Sequence, residues 1–159
     1  IVASMYFCGL RVSEVCHLTL SDLRLGENPA IRVQSGKGNR DREVPVNEQM
    51  QSIILEYLEI RPTFPNSENE EHLFIGTRGG PTSRKLIPKM LNTHVKGVFP
   101  ERKVNPHLFR HSFATHLLQK GASIKTVQEL LGHVNLATTS IYLHITDKEK
   151  RGAVELLSD

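Results

Sequence analysis

Residues 105–118 read NPHLFRHSFATHLL, and the first two of them already announce a helix. Asn105 suits the N-cap, and Pro106 suits the first helical position, where its missing N–H costs nothing. His107 then falls in the first turn, among N–H groups without helical partners and at the positive end of the dipole. That end is a ready anion site. Arg110, three residues on, shares the face, and its planar guanidinium can grip two phosphate oxygens as a lysine cannot. The pair reads as a phosphate clamp; the plainer alternative is that Arg110 pairs with a carboxylate and His107 merely caps. His111 and His116 add no metal site, since no cysteine cluster accompanies them and neither spacing is HExxH.

Working outward, GLRVSE (residues 9–14) sets Arg11 and Glu14 one turn apart among apolar neighbours. An isolated buried charge is expensive, so Arg11 needs a carboxylate or a bound anion. Glu14 is the ordinary partner; in the functional reading a phosphate oxygen joins at Arg11 and Glu14 orients nearby groups. Lys37 stands at the tip of SGKGN between two glycines, able to swing, and no Walker loop is present. Alone it is a solvated turn lysine. In LLGHVNLATTSIYLH (residues 130–144), His133 follows a glycine helix stop and Tyr142 falls in the next helix. Each taken singly reads as structural. Together, an anion clamp, two histidines, a swinging lysine and a hydroxyl nucleophile are the parts that metal-free phosphoryl transfer requires.

The chain has 159 residues and suits one domain, which at this size buries roughly 70% of the surface its unfolded chain exposes. Cys8 and Cys16 read as free thiols, and no apolar run approaches the ~20 residues of a membrane span, so a reducing, cytoplasmic setting is expected. The opening IVASMYFCGL carries no capping residue and suggests a piece of a longer protein. Charge is unevenly spread although the net is only +3. Residues 43–71 hold seven acids against Arg61 alone, whereas residues 76–104 reverse the balance. Arg78, Arg84, Lys85, Lys89 and Lys96 in that second run are candidate contacts for a polyanion, most simply nucleic acid; the alternative is a solvated face.

Periodicity places a buried helix over 2–10 turning near Gly9, a short helical piece over 13–20, and β-rich runs IRVQ and REVPV around the SGKGNRD turn. LFIG near Leu73 is a candidate third strand. Met50, Ile53, Ile54, Tyr57 and Leu58 mark an amphipathic helix that Pro62 stops. Residues 82–98 are expected to be helical with a kink or late start at Pro88, followed by helices near 106–120, 123–131 and 137–145. The class is mainly α with a small antiparallel sheet, α+β.

In this order the motifs resemble the catalytic domain of the tyrosine recombinases, the phage-integrase family that includes the Xer-type resolvases. GLRVSE resembles the first arginine motif, SGKGNRDREVP the lysine hairpin, HLFRHSFATHLL the HxxR box, LLGH the second histidine motif and TTSIYLH the nucleophile box. The resemblance implies the DNA breaking-rejoining fold, with Arg11, Lys37, His107, Arg110, His133 and Tyr142 as the catalytic set and Glu14 beside the first arginine. It also implies no cofactor or metal, double-stranded DNA as partner, a tetramer on DNA, and GAVELL as a segment docking on a neighbour. Residues 1–159 would form the catalytic domain alone, without the N-terminal core-binding domain. Phe109 stands where leucine is usual, Leu143 where threonine is common, and Pro88 interrupts a helix expected to approach DNA. Two other readings are a helix-turn-helix regulator, which explains His133 and Tyr142 but not Arg11, Lys37, His107 and Arg110, and a type IB topoisomerase.

Overall fold

A computed structural model of the chain describes residues 1–34, 41–98, 100–101 and 103–132. The elements run α1 (Val2–Phe7), α2 (Val12–His17), β1 (Leu23–Arg24), β2 (Ala30–Val33), β3 (Arg42–Pro45), α3 (Glu48–Ile60), α4 (Leu86–Val98), α5 (Pro106–Gln119) and α6 (Ile124–Leu131). The three strands form one antiparallel sheet in the order β1-β2-β3, with Leu23 opposite Ile31 and Val33 opposite Arg42. Ile31, Val33 and Val44 join Met5, Leu10, Val15, Met50, Ile54, Leu73 and Ile87 in the main core. A second core lies between α5 and α6, built from Phe113, Ala114, Leu118, Val127 and Leu131. The fold is therefore helix-rich with a small antiparallel sheet, as the periodicity and the resemblance both imply.

The β2–β3 pairing matches the expected hairpin; the intervening residues 35–40, with Lys37, lie outside the described residues. The third strand is not where LFIG suggested. Leu73, Phe74 and Ile75 are buried in succession, without the alternation of a half-buried strand, and the segment contributes only isolated bridges, Thr19 to His72 and Ile75 to Pro81. The Leu73 carbonyl is taken by side chains, Tyr57 Oη at 3.0 Å and Arg61 Nε at 3.1 Å. β1 supplies the third strand instead.

Arg61, the lone base of the acidic run, has its guanidinium buried under the loop that follows α3. It donates to the carbonyls of Ser67, Glu70, His72 and Leu73. Pro62 ends α3 through a 3-10 turn over Arg61–Thr63. α4 starts late, at Leu86, so Pro88 is its third residue and falls among N–H positions that have no helical partner. The clash expected of an interior proline does not arise. Both cysteines are free and buried, and burial pushes the Cys8 thiol up to about 12. No helix among the described residues is long and apolar enough to cross a membrane.

Candidate active site

The loop after α1 turns at Gly9, whose φ of +60° favours a residue without Cβ. A Cβ there would meet the Phe113 ring at 2.5 Å, so α5 packs directly on this turn. Beyond it, Arg11 occupies the N-cap of α2 and Glu14 its third position, whose carboxylate reaches back to the cap. The Arg11 N–H donates to Glu14 Oε2 at 2.8 Å and Arg11 Nη1 donates to Oε1 at 2.8 Å. The same carboxylate accepts a bidentate pair from Arg42 of β3, Nη1 to Oε1 and Nη2 to Oε2, both at 2.9 Å. Arg110 of α5 approaches Glu14 to 3.9 Å, while its Nη1 donates to the Gly9 carbonyl and its Nη2 to the Leu131 carbonyl at 2.7 Å.

Three guanidiniums from distant segments thus gather on one carboxylate. Burial pushes the Glu14 carboxyl up, but the hydrogen bonds and charge of Arg42, with those from Arg11, outweigh it and hold it below the ordinary carboxylate range. Arg42 and Arg110 are largely buried, at 8% and 9% side-chain exposure, whereas Arg11 keeps 29%. Arg11 is the member best placed to meet an external anion. The plain and functional readings of Arg11 and Glu14 are therefore compatible: the carboxylate is shared, and the arginine still faces solvent.

α6 completes the frame. Its last carbonyls have no helical donors, and two arginines supply them: Arg42 Nε donates to Leu130 O at 2.7 Å and Arg110 Nη2 to Leu131 O. Cations at this end also complement the helix dipole. Gly132 closes the helix at φ +63°, directly before His133. Asn105 caps α5 as expected, accepting from the His107 N–H at 3.0 Å, and His107 is exposed in the first turn. Asn92 of α4 fixes the approach to that cap: its Oδ1 accepts from Val104 N at 3.0 Å, and its Nδ2 donates to Val104 O at 3.1 Å.

The described residues thus bring together Arg11, Glu14 and Arg110. His107 lies one turn before Arg110 on α5, while Lys37, His133 and Tyr142 lie outside the described residues. Arg42 was not singled out from the sequence. Its signal was period two: in REVPV, residues 42, 44 and 46 share a face, Val44 and Val46 are core, and Arg42 is an arginine on the inward register.

Arg78, Arg84, Lys85, Lys89 and Lys96 are all exposed. Lys89 and Lys96 lie two turns apart on α4, away from the face that buries Ile87 and Leu91. Arg84 and Lys85 line a cleft of about 400 Å³ with His17, Thr82 and Ser83. This cleft joins the basic run to the C-terminal end of α2, whose other end carries Arg11.

Comparison with known proteins agrees over nearly the whole chain. A family model described as the phage integrase family matches residues 1–149. A tyrosine recombinase of Thermosipho africanus is 40% identical over 158 residues, covering 98% of this chain and 52% of that protein. Tyrosine recombinase XerA of Pyrococcus horikoshii is 41% identical over 157 residues, 98% of this chain and 53% of that one. A crystal structure of XerA recombinase superposes with a TM-score of 0.80 at 34% identity, covering 99% of this chain and 56% of that one. XerH bound to its palindromic difH substrate, in a post-cleavage complex, gives a TM-score of 0.76 at 28% identity, over 99% of this chain and 45% of that one. The chain spans about half the length of the curated relatives it matches. On the match to the family model and these identities, it belongs to the phage integrase family.

Proposed function

We propose that residues 1–159 form the catalytic domain of a site-specific DNA recombinase that cleaves and rejoins strands through a 3′-phosphotyrosyl link, without metal or ATP. The observation that carries this reading is the convergence of Arg11, Arg42 and Arg110 on Glu14, with Arg11 exposed enough to accept a phosphate. The tyrosine recombinases it resembles, and XerH bound to difH, support DNA as the substrate.

A phenol with a pKa of about 10 is only about 0.1% ionised at pH 7, so the nucleophile needs a base or electrostatic help. Of three tyrosines, two are engaged structurally: Tyr6 Oη is hydrogen-bonded to His116 Nδ1 at 3.0 Å and Tyr57 Oη donates to the Leu73 carbonyl. Tyr142, in the motif that resembles the nucleophile box, is the attacking group. Its oxygen forms the new bond to phosphorus as His107 takes its proton. Arg11, Arg110 and His133 stabilise the charge spreading over the non-bridging oxygens. The bond from phosphorus to O5′ breaks, and Lys37 protonates the departing 5′ hydroxyl. One ester replaces another, so a second 5′ hydroxyl reverses the step, and partner exchange yields recombination. Assembly is a tetramer on paired duplexes, with Arg78, Arg84, Lys85, Lys89 and Lys96 on the DNA backbone.

A nicked suicide duplex tests this. The chain is expected to form a covalent adduct that Tyr142→Phe abolishes, and to join strands from two different duplexes. Binding without adduct supports a helix-turn-helix regulator instead, and relaxation without joining supports a topoisomerase.

A further inference from the structure

The guanidinium of Arg42 is largely buried, and every one of its nitrogens is engaged. Nη1 and Nη2 hold both oxygens of Glu14, and Nε holds the last turn of α6 through Leu130 O. Oε1 of Glu14 is shared, accepting from Arg42 at 2.9 Å and from Arg11 at 2.8 Å. The carboxylate therefore cannot rotate for Arg11 without Arg42. Space for this arginine is set aside: a Cβ on Gly132 would lie 2.9 Å from Arg42 Nη1 and 3.1 Å from its Cδ. β3, which carries Arg42, pairs with β2, and Lys37 lies in the sequence between them.

We propose that Arg42 is a positioning residue for the phosphate clamp: it fixes the orientation of Glu14, and through it the presentation of Arg11, while pinning β3 to the end of α6. This rests on the recombinase reading above. Arg42 itself does not contact the scissile phosphate. Without it, Glu14 keeps, among the described residues, only the Arg11 bonds and lies 3.9 Å from Arg110, so the carboxylate turns and Arg11 follows.

The test compares single-turnover adduct formation on nicked suicide duplexes carrying either a normal scissile phosphodiester or a methylphosphonate there. The neutral methylphosphonate develops less charge for the clamp to stabilise. Arg42→Gln is expected to lose roughly 100-fold in adduct rate on the phosphodiester, as misplacement of catalytic groups does. On the methylphosphonate it should stay within roughly 5-fold of the unsubstituted chain, since little clamp energy is left to lose. Glu14→Gln should show the same split, and Arg42→Lys an intermediate one. Equal losses on both substrates, or no loss on the phosphodiester, overturn the proposal. Where circular dichroism shows that Arg42→Gln does not fold, Arg42→Lys decides by the same ratio. Absence of adduct from the unsubstituted chain on both duplexes overturns the recombinase reading, and this proposal with it.

Discussion

A carboxylate with 7% of its side chain exposed stays ionised at Glu14 because two guanidiniums are aimed at it. Replacing it by an amide leaves Arg42 and Arg110 buried without that charge. Glu14→Gln is expected to cost on the order of 3 kcal/mol, since breaking a buried pair strands its partner. A thermal melt should fall by roughly 10 °C at this chain length. The pH dependence carries a sign as well. Glu14 binds its proton less readily folded than unfolded, so its contribution is fully present above about pH 4.3, the ordinary glutamate value, and is lost as pH falls through the lowered folded value. Stability of Glu14→Gln measured against pH should therefore lose less on the acid side than that of the unsubstituted chain; an unchanged acid slope contradicts the assignment. Arg11, Glu14 and Arg110 were legible because a charge one helical turn from another, or at a helix start, has a mechanism attached to its spacing. Arg42 was not, because its partners lie 28 and 88 residues away in the chain and nothing local to REVP names them.

At the scale of elements, helix ends are more legible in the sequence than strands. Asn105 and Pro106 carry their own capping chemistry, so α5 begins where the dipeptide says; Asn105→Ala should lower stability by about 1 kcal/mol, whereas Asn105→Asp should nearly restore it, in parallel melts. LFIG misled because a short apolar run is equally a strand or a buried loop, and here Tyr57 and Arg61 take the carbonyl that a ladder would need. The end of α6 provides a controlled comparison between two glycines. Gly121 and Gly132 both have positive φ, but only a Cβ at Gly132 would strike a neighbour, Arg42. Gly121→Ala is expected to cost about 1–2 kcal/mol from backbone strain alone. Gly132→Ala should lose more than that and slow adduct formation too, because Arg42 must move. Equal adduct rates in the two variants would sever the link between this helix end and the clamp.

For the whole molecule, charge is segregated: an acidic stretch runs along α3 and its following loop, and a basic one along α4 and its approach. On the DNA reading, Lys85→Ala, Lys89→Ala and Lys96→Ala should each weaken duplex binding and reduce the slope of log K against log salt by about 1. Glu56→Gln and Glu59→Gln, on the acidic side, should leave that slope unchanged in the same anisotropy titrations. The architecture was legible because periodicity marks helices and the hairpin. Convergence was not, since no local pattern states that residues 11, 42 and 110 meet. On this reading the cluster serves a phosphate attacked by Tyr142. Its most direct test is protease digestion of the chain after reaction with the nicked duplex, with mass spectrometry of the DNA-linked peptide. A nucleotide remnant joined through its 3′ phosphate to Tyr142 is expected, and a remnant on any other residue overturns this assignment.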